Sequence, residues 1–475
     1  MNNGMYIDGE WIGAHRFETM PVDNPATGER IGDIPVGGAL EAKMAIDAAA
    51  RAFRDWAGRT AADRGAYLMK LYRLMLEHEE ELASCITLEM GKPLKEARGE
   101  VRYAASFLEW YAEEGKRVCG ETIPSSHPNK RIVTLRQPVG VVGAITPWNF
   151  PAAMLTRKLA PALAAGCPIV IKPSEWTPFT AIKLMELVER AEFPPGTVNL
   201  VLGDAAAIGG EFMGNEKVKK ISFTGSTRVG KLLMEQGAKQ VKKLSLELGG
   251  HAPMIVLDDA DLALAVREVI ASKFRNAGQA CICGNRVYVQ SGVYDRFVAL
   301  LAEETLKLKV GDGFDADTDI GPLINSAALE KVERQVKDAV AKGATVLTGG
   351  VGPEGEGSCF YPPTILTNAD ESMLVMREET FGPVAPIRKF HADEEAIRLA
   401  NDTPYGLAAY VFSGSVSRGM RVVEQLEYGI VGWNDGLPST AQAPFGGMKE
   451  SGIGREGGRE GIACYLETKY VSIGI

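Results

Sequence analysis

The stretch VGVVGAITPWNFPAAMLTRKLAPALAAGCPIVIK, residues 139–172, has the pattern of a strand, a helix and a second strand. Its two ends, 139–146 and 167–172, are short and rich in Val and Ile, and the segment between them is long enough for a crossover helix. The alternation continues with strand-like runs at 197–203, 218–225 and 241–250. Five such units predict a parallel, doubly wound α/β sheet. Because ligands bind at the carboxyl ends of the strands in this architecture, the residues that follow each run are the first candidates for chemistry.

The flanking sequence predicts further elements and more than one domain. Residues 40–115 have apolar positions at three- and four-residue intervals, which indicates helices. A second α/β stretch runs from about 253 to 447, with strand-like runs PMIVLD, RVYVQ, ATVLTGG, TILTN, VAPIRKF and GIVGWN. The segments 118–137 and 464–475 have the pattern of exposed strands that could pair with another subunit. A chain of 475 residues is too long for a single core, so we expect two or three domains.

Composition narrows the classes of partner. The chain is 45% hydrophobic and 24% charged, with a net charge of −9, which is typical of a globular protein and argues against nucleic-acid or anionic-membrane binding. The N-terminal sequence lacks the pattern of a secretory signal, and no apolar window approaches the ~20 residues that span a bilayer. The seven cysteines and five histidines show neither disulfide-like nor zinc-ligand spacing. We therefore expect a cytoplasmic protein that binds small molecules, without a metal.

Two strand ends carry polar side chains suited to ligand binding. The run 139–146 is followed by PWNFP, which places the amide of Asn149 at the mouth of the sheet, although a tight turn is the commoner use of such an Asn. The run 167–172 ends in KPSE, and the spacing of Lys172 and Glu175 would let both reach the hydroxyls of a ribose. A surface ion pair is the alternative for these two residues.

The next strand ends suggest a phosphate site and a base. In FTGST, Gly225 and Ser226 open a helix whose backbone N–H groups could face a phosphate. In LELGG, Glu247 closes a buried strand, and a buried carboxylate is costly unless it is paired or functional.

The stretch NAGQACICGNR, residues 276–286, contains a candidate nucleophile. A free cysteine is usually a small buried hydrophobe. Cys281, however, follows a turn at Gly278 and lies close to Arg275 in sequence. We expect these cationic surroundings to lower the pKa of the Cys281 thiol and to favour a nucleophilic thiolate.

The motifs PWNFP, KPSE, FTGST, LELGG, GQAC and EETFGPV occur in this order over essentially the whole chain, and together they resemble the aldehyde dehydrogenase superfamily. The resemblance implies a thiol nucleophile at Cys281, a general base at Glu247, and an oxyanion hole formed by Asn149 and the Cys281 backbone N–H. It implies that a nicotinamide dinucleotide is held by Thr146, Pro147, Trp148, Lys172, Ser174, Glu175, Gly225, Ser226, Glu379 and Phe381.

The resemblance also implies a fold of three parts: a Rossmann-type parallel-sheet domain for the cofactor, a second α/β catalytic domain and a small β arm for oligomerisation. Residues 1–117 and 138–247 would form the NAD-binding domain, residues 248–447 the catalytic domain, and residues 118–137 and 458–475 the arm. A homodimer or homotetramer is expected. The carboxylate of Glu175 suits the free ribose hydroxyls of NAD and repels the 2′-phosphate of NADP, so NAD is the preferred cofactor and NADP a possible one.

Within the superfamily, the sequence is most similar to succinate-semialdehyde dehydrogenases, through SKFRNAGQ, MLTRK, LEYGIVGWNDGLPS and YLETKYVSIG. Arg157 and Arg275 match the arginines that bind the substrate carboxylate there, and Ser439 matches their hydroxyl partner. Without the resemblance, Arg157 would be interpreted as a surface residue of a helix that begins near Pro151. Pro438 departs from the usual pattern of the loop that carries Ser439.

Several alternatives stay open at this point. The substrate could be succinate semialdehyde, glutarate semialdehyde, 2-oxoglutarate semialdehyde or sulfolactaldehyde, because two arginines select an anion and not a carbon count. The thiol could also serve a Cys-dependent esterase or a CoA-acylating enzyme. In some succinate-semialdehyde dehydrogenases the C-x-C pair closes under oxidation, so Cys283 is either a redox switch or a packing residue.

Overall fold

A computed structural model describes residues 3–352 and 358–475. Residues 1–2 and 353–357, which fall within the predicted first and second domains, lie outside the described residues. The helices are α1 (Ala39–Gly58), α2 (Ala61–Glu77), α3 (Glu79–Met90), α4 (Leu94–Glu114), α5 (Pro151–Ala165), α6 (Pro178–Arg190), α7 (Ala205–Gly214), α8 (Thr227–Ala238), α9 (Leu262–Lys273), α10 (Tyr294–Thr305), α11 (Ser326–Ala341), α12 (Asp393–Asn401), α13 (Val416–Gln425) and α14 (Gly458–Ala463).

The strands are β1 (Met5–Ile7), β2 (Glu10–Ile12), β3 (Thr19–Asp23), β4 (Arg30–Pro35), β5 (Thr122–Ile123), β6 (Lys130–Pro138), β7 (Val141–Ile145), β8 (Ile169–Lys172), β9 (Val198–Leu200), β10 (Val218–Thr224), β11 (Lys243–Glu247), β12 (Ala252–Val256), β13 (Gly284–Gln290), β14 (Thr345–Thr348), β15 (Thr364–Thr367), β16 (Val384–Phe390), β17 (Tyr405–Gly406), β18 (Ala408–Phe412), β19 (Ile430–Trp433), β20 (Met448–Lys449), β21 (Gly452–Ile453) and β22 (Leu466–Gly474).

The first sheet contains the five predicted strands. They are parallel and lie in the order β9-β8-β7-β10-β11, so the predicted doubly wound sheet is confirmed. Two additions extend it: the antiparallel hairpin of β1 and β2 beside β9, and the short β21 beside β11. The sequence analysis did not predict these additions, because segments of two or three residues show no periodicity.

The second sheet has the order β14-β15-β16-β13-β12-β18-β19, and only the pair β14 and β15 is antiparallel. Six of its seven strands are predicted from the sequence. The exception is β18, a fully buried strand between β12 and the edge strand β19. A short, uniformly apolar run without period-2 alternation fits a buried helix as well as a strand.

Two buried carboxylates hold the helices that follow the strands of the first sheet. Glu100 on α4 accepts hydrogen bonds from the first backbone N–H groups of α5, at Ala152 (2.9 Å) and Ala153 (3.3 Å). Glu89 on α3 does the same for α6, at Phe179 (2.7 Å) and Thr180 (3.0 Å). A carboxylate satisfies the free N–H groups of a helix N-terminus and complements its positive dipole end. The predicted helical region 40–115 therefore also fixes where the strand-end residues lie.

A third, small sheet has the order β22-β6-β5. Strand β22 pairs antiparallel with β6 over nine positions, from Leu466 opposite Pro138 to Gly474 opposite Lys130. Both segments are strands as the sequence predicts; their contact with another subunit stays a prediction, as do the domain boundaries. No helix within residues 3–352 or 358–475 is long and apolar enough to cross a membrane.

Candidate active site

A cavity of about 380 Å³ opens at the carboxyl ends of β7, β10 and β11. Eight of the predicted residues line it: Pro147, Trp148, Asn149, Gly225, Ser226, Cys281, Glu379 and Phe381. The structure thus brings together residues from four distant parts of the sequence. The first sheet explains two of these parts, because the ends of its adjacent parallel strands share one edge. Cys281, Glu379 and Phe381 come instead from the segments that precede β13 and β16 of the second sheet.

Cys281 reaches the cavity through an unusual turn. Asn276, Ala277 and Gly278 have φ values of 53°, 54° and 75°, so three consecutive residues are left-handed. Non-glycine residues rarely adopt this conformation, and it persists only where the surroundings enforce it. The turn leaves Cys281 partly exposed at the cavity wall. Gly250 packs so closely behind it that a Cβ there would overlap the Cys281 carbonyl oxygen.

The prediction that the surroundings of Cys281 lower the pKa of its thiol is wrong. Burial raises the pKa of the Cys281 thiol to about 12, and the carboxylates of Glu379 and Glu247 raise it further. The positive charge of Arg157 acts in the opposite direction but does not outweigh burial. The thiol is therefore protonated near neutral pH and needs a base to become a nucleophile.

Glu247 has the properties of such a base. It ends β11 fully buried, and neither carboxylate oxygen has a hydrogen-bond partner among the described residues. Burial raises the pKa of Glu247 well above its usual value, and the nearby carboxylate of Glu456 raises it further, while Arg157 and Lys158 lower it. Glu247 does not itself line the cavity, but its charge acts on the Cys281 thiol, so the carboxylate lies close to the nucleophile.

Asn149 is fixed in place through its backbone and side chain. Its carbonyl oxygen accepts hydrogen bonds from Lys92 Nζ (2.8 Å) and Asn276 Nδ2 (3.0 Å). Its Nδ2 donates to the carbonyl oxygen of Gln279 at 3.0 Å, which leaves the second Nδ2 hydrogen available at the cavity. Asn149 and the nucleophile turn are therefore tied to each other.

Gln279 also connects this turn to lining residues that the sequence analysis missed. Its Oε1 accepts from the backbone N–H of Ile324 at 2.9 Å, immediately before α11. Ile324, Asn325 and Lys331 all line the cavity. The GPLIN turn that precedes α11 is a visible signal in the sequence, but nothing in it indicates that the turn lies opposite Cys281.

The remaining predicted cofactor residues lie beside the cavity. Thr146, Lys172, Ser174 and Glu175 do not line it. The Thr146 backbone N–H donates to the Lys172 carbonyl oxygen at 3.1 Å, which places the ends of β7 and β8 side by side. Lys172 Nζ and Glu175 Oε2 form an ion pair at 2.8 Å, with Lys172 buried and Glu175 partly exposed. Each therefore keeps hydrogen-bonding capacity for a ligand.

The lining residues fit the parts of a nicotinamide dinucleotide. Ser226 caps α8 by accepting from Val229 N, and a Cβ on the preceding Gly225 would overlap the ring of Phe223. The N-terminus of α8 thus presents free backbone N–H groups, as phosphate sites require. At the far end of the cavity, Phe381 packs edge-on against Trp148, with ring centres 5.6 Å apart, in the region that would hold the nicotinamide ring.

The three predicted substrate residues gather around one tyrosine, Tyr103. Burial raises the pKa of the Tyr103 hydroxyl, and Arg157, Arg275 and Ser439 all lie close enough to lower it. Arg157 is almost fully buried, which excludes the alternative of a surface helix residue. Its Nε lies 3.0 Å from Glu456 Oε2, while its Nη2 has no hydrogen-bond partner among the described residues.

Arg275 differs from Arg157 in forming no ion pair, although its charge acts at longer range on the buried carboxyl of Glu96. Within residues 3–352 and 358–475 its guanidinium group forms neither an ion pair nor a hydrogen bond, and it lies 5.0 Å from the ring centre of Phe150. Met154 connects the two regions, because it lines the cavity beside Cys281 and its sulfur is 3.9 Å from Arg157 Nη1. Arg157 therefore lies behind the wall of the cavity that contains the thiol, whereas Arg275 packs against Phe150 and does not line this cavity.

Comparison with known proteins agrees with this arrangement. Residues 11–471 match the model of the aldehyde dehydrogenase family. The chain belongs to this family. It is 54% identical over 469 residues to the succinate-semialdehyde dehydrogenase [NADP(+)] GabD of Escherichia coli (strain K12), covering 99% of this chain and 97% of that one. It is 53% identical over 470 residues to the glutarate-semialdehyde dehydrogenase of Pseudomonas putida (strain KT2440), with coverage of 99% and 97%.

A solved structure gives the same result for the fold. The crystal structure of an E. coli NADP-dependent enzyme has a TM-score of 0.99 and 54% sequence identity, and the match covers 100% of this chain and 98% of that one. The aldehyde dehydrogenase fold that the motifs imply is therefore confirmed.

Cys283, the second cysteine of the C-x-C pair, is less exposed than Cys281. Cys283 is buried, its Sγ donates to the Lys273 carbonyl oxygen at 3.4 Å, and burial raises the pKa of its thiol. Its proposed redox role stays a prediction. Among the described residues, no group of three or more His, Cys, Asp or Glu side chains is arranged to hold a metal ion.

Proposed function

We propose that the protein oxidises a short aldehyde with a distal anionic group, with succinate semialdehyde as the first candidate, to the corresponding acid. The observation that supports this most is the guanidinium group of Arg157, whose positive charge acts on the Cys281 thiol. Arg157 has a buried Nη2 without an acceptor, and Arg275, on the turn that leads to Cys281, forms no ion pair among the described residues. Arg presents a planar set of donors that matches a carboxylate, and a buried donor without a partner is costly.

In the proposed mechanism the residues of this chain move protons and position the substrate. Glu247 takes the proton from the Cys281 thiol, and the thiolate attacks the aldehyde carbon to form a thiohemiacetal. The free Nδ2 hydrogen of Asn149 and the Cys281 backbone N–H stabilise the alkoxide oxygen. The oxidised nicotinamide, when bound, supplies the acceptor for the hydride that leaves this carbon. Glu247 releases its first proton to solvent before hydrolysis. As a carboxylate again, it takes a proton from a water that attacks the thioester, and the acid and the Cys281 thiolate are released.

For the cofactor we propose NAD in preference to NADP. Glu175 Oε2 is engaged by Lys172, which leaves Oε1 to accept from a ribose hydroxyl, and the carboxylate opposes a 2′-phosphate at the same place. The E. coli relative is named for NADP(+), so a preference for NAD would distinguish this chain from that relative. Steady-state kcat/KM values with the two dinucleotides measure the preference directly.

The substrate proposal is tested by comparing anionic with neutral aldehydes. Succinate semialdehyde should give a higher kcat/KM than butanal, which has the same number of carbons without the carboxylate. Equal values would overturn the proposal. Glutarate semialdehyde, 2-oxoglutarate semialdehyde and sulfolactaldehyde complete the panel, because the relative named for glutarate semialdehyde is almost as similar as the one named for succinate semialdehyde.

Two controls separate this reaction from other thiol chemistry. Cys281→Ala should abolish dinucleotide reduction. Ester hydrolysis as the main turnover without dinucleotide would indicate an esterase, and an absolute requirement for CoA would indicate an acylating enzyme.

We also propose a homodimer or homotetramer in the cytoplasm. The outer edge of β22 has no strand partner among the described residues, and Tyr470 and Ile473 on this strand are 61% and 43% exposed. Such an edge is suited to pairing with another copy. All seven cysteines are free, which suits a reducing compartment. Sedimentation of the intact chain measures its oligomeric state.

A further inference from the structure

Lys92 is a fully buried lysine in the segment between α3 and α4. Its Nζ donates to Glu100 Oε2 at 2.5 Å and to the Asn149 carbonyl oxygen at 2.8 Å, and it lies 3.9 Å from the centre of the Phe150 ring. The exposed fractions of the Lys92 and Glu100 side chains are 0% and 1%. A buried ion pair adds little net stability compared with apolar packing, so what distinguishes this pair is the position in which it holds Asn149.

Glu100 connects Lys92 to the start of α5. Its Oε2 accepts from Lys92, while its Oε1 accepts from the backbone N–H groups of Ala152 (2.9 Å) and Ala153 (3.3 Å). The two oxygens of one carboxylate therefore hold the chain on both sides of Phe150. The first turn of α5 is held directly, and the Asn149 carbonyl oxygen is held through Lys92.

The backbone beside Lys92 is tied to the nucleophile turn. Lys92 follows Gly91, which ends α3 in a left-handed conformation with a φ of 88°. Gly321 packs so closely here that a Cβ on it would overlap the Gly91 carbonyl oxygen. The next residue, Pro322, accepts a hydrogen bond from Gln279 Nε2 at 3.3 Å. Lys92 and the turn that leads to Cys281 are thus fixed by the same segment.

The consequence for the reaction lies in the orientation of the Asn149 amide. One Nδ2 hydrogen is used by the Gln279 carbonyl oxygen, so the direction of the other hydrogen depends on how the Asn149 backbone is held. The Asn149 carbonyl oxygen has two donors, Lys92 Nζ and Asn276 Nδ2. Without Lys92, only Asn276 would hold it. An amide that can turn stabilises a developing alkoxide less well than a fixed one.

We propose that Lys92 is a positioning residue for the oxyanion hole, which acts through the backbone of Asn149 and does not touch the substrate. This inference rests on the proposed function, in which Asn149 stabilises the alkoxide, and it applies to neutral as well as anionic aldehydes. Lys92→Met should therefore lower kcat/KM about tenfold on succinate semialdehyde and on butanal alike. The dissociation constant of the dinucleotide should stay the same.

A double-mutant cycle with Asn149 separates this role from a merely structural one. Asn149→Ala keeps the backbone carbonyl that Lys92 holds but removes the amide, and it should lower kcat/KM about 100-fold or more. Lys92→Met should then cause no further loss in the Asn149→Ala protein. A tenfold loss in both backgrounds would overturn the positioning role, because a general effect on the structure does not depend on the Asn149 side chain.

Lys242→Met is the matched control. It removes a lysine that donates to the backbone carbonyl oxygens of Asn215 (2.8 Å) and Val218 (2.7 Å), away from the cavity, and it should leave kcat/KM unchanged. If Lys92→Met does not fold, the cycle is repeated with Glu100→Gln added to each Lys92→Met protein, so that no buried carboxylate is left without its cation. An unchanged kcat/KM after loss of Lys92 would overturn this inference alone, whereas an unchanged kcat/KM in Asn149→Ala would refute the proposed mechanism as well.

Discussion

Replacement of Arg275 with glutamine should weaken turnover of anionic aldehydes without weakening the fold. Its removal breaks no ion pair or hydrogen bond among the described residues. The contact with the Phe150 ring and a longer-range attraction to Glu96 are lost. A hydrogen bond to a charged group contributes about 1.5–3 kcal/mol. At about 1.4 kcal/mol for each factor of ten, kcat/KM for succinate semialdehyde should fall about 10- to 150-fold.

Arg157→Gln should give a different combination of effects. Arg157 pairs with the buried Glu456, so its loss leaves that carboxylate with Lys158 as its remaining cation. Removal of one partner from a buried ion pair costs about 3–5 kcal/mol of stability. Both variants should therefore lose activity on the anionic aldehyde, but only Arg157→Gln should lower the free energy of unfolding substantially.

The assay combines kcat/KM on succinate semialdehyde and butanal with unfolding in urea. Arg54→Gln, which alters an exposed arginine on α1, is the control and should change neither quantity. If Arg275→Gln leaves the ratio between the two aldehydes unchanged, the assignment of this arginine to the anion site is refuted. Equal destabilisation by both substitutions would refute the contrast between a paired and an unpaired guanidinium group.

Three further substitutions address the base, the cofactor and the second cysteine. Glu456→Gln removes a negative charge that helps to raise the Glu247 pKa, so this pKa should fall. Because Glu247 accepts a proton only when it is ionised, the acid limb of the pH profile of kcat/KM should move to lower pH. An acid limb that does not move would contradict the assignment of Glu247 as the base. Glu175→Ser removes a repulsion of about 1 kcal/mol or more, so kcat/KM with NADP relative to NAD should rise about fivefold or more, as paired assays would show. After inactivation by peroxide, dithiothreitol should restore activity in the unaltered protein but not in Cys283→Ala. Equal recovery in the two proteins would indicate that Cys283 is a packing residue.

The sequence predicts the elements whose patterns are local. The five strands of the first sheet stand out because Val- and Ile-rich runs alternate with helix-length segments, and each run ends in a recognisable motif. Strand β18 lacks such a signal, because it is equally apolar at every position and is buried on both faces. Strands β1 and β2 are defined by pairing with distant residues and not by their own sequence.

The candidate site shows a similar limit. Motifs indicate Cys281, Glu247 and Asn149, but the counter-ion of Arg157 is Glu456, about 300 residues away, and no local pattern connects them. The pKa of Cys281 was predicted in the wrong direction for the same reason. A neighbouring arginine is visible in the sequence, whereas burial depends on the whole fold and here outweighs the charge.

Burial also explains how the site can strengthen a preference for anionic over neutral aldehydes. Arg157 Nη2 is enclosed and has no acceptor among the described residues. Because this nitrogen is already shielded from water, leaving it unpaired costs about 1–3 kcal/mol before substrate binds, and a neutral aldehyde leaves that cost in place. An anionic aldehyde removes this cost and adds a charge-assisted hydrogen bond. Selectivity would then arise from both effects on the same nitrogen, and a discriminating pocket needs no steric barrier against the uncharged substrate.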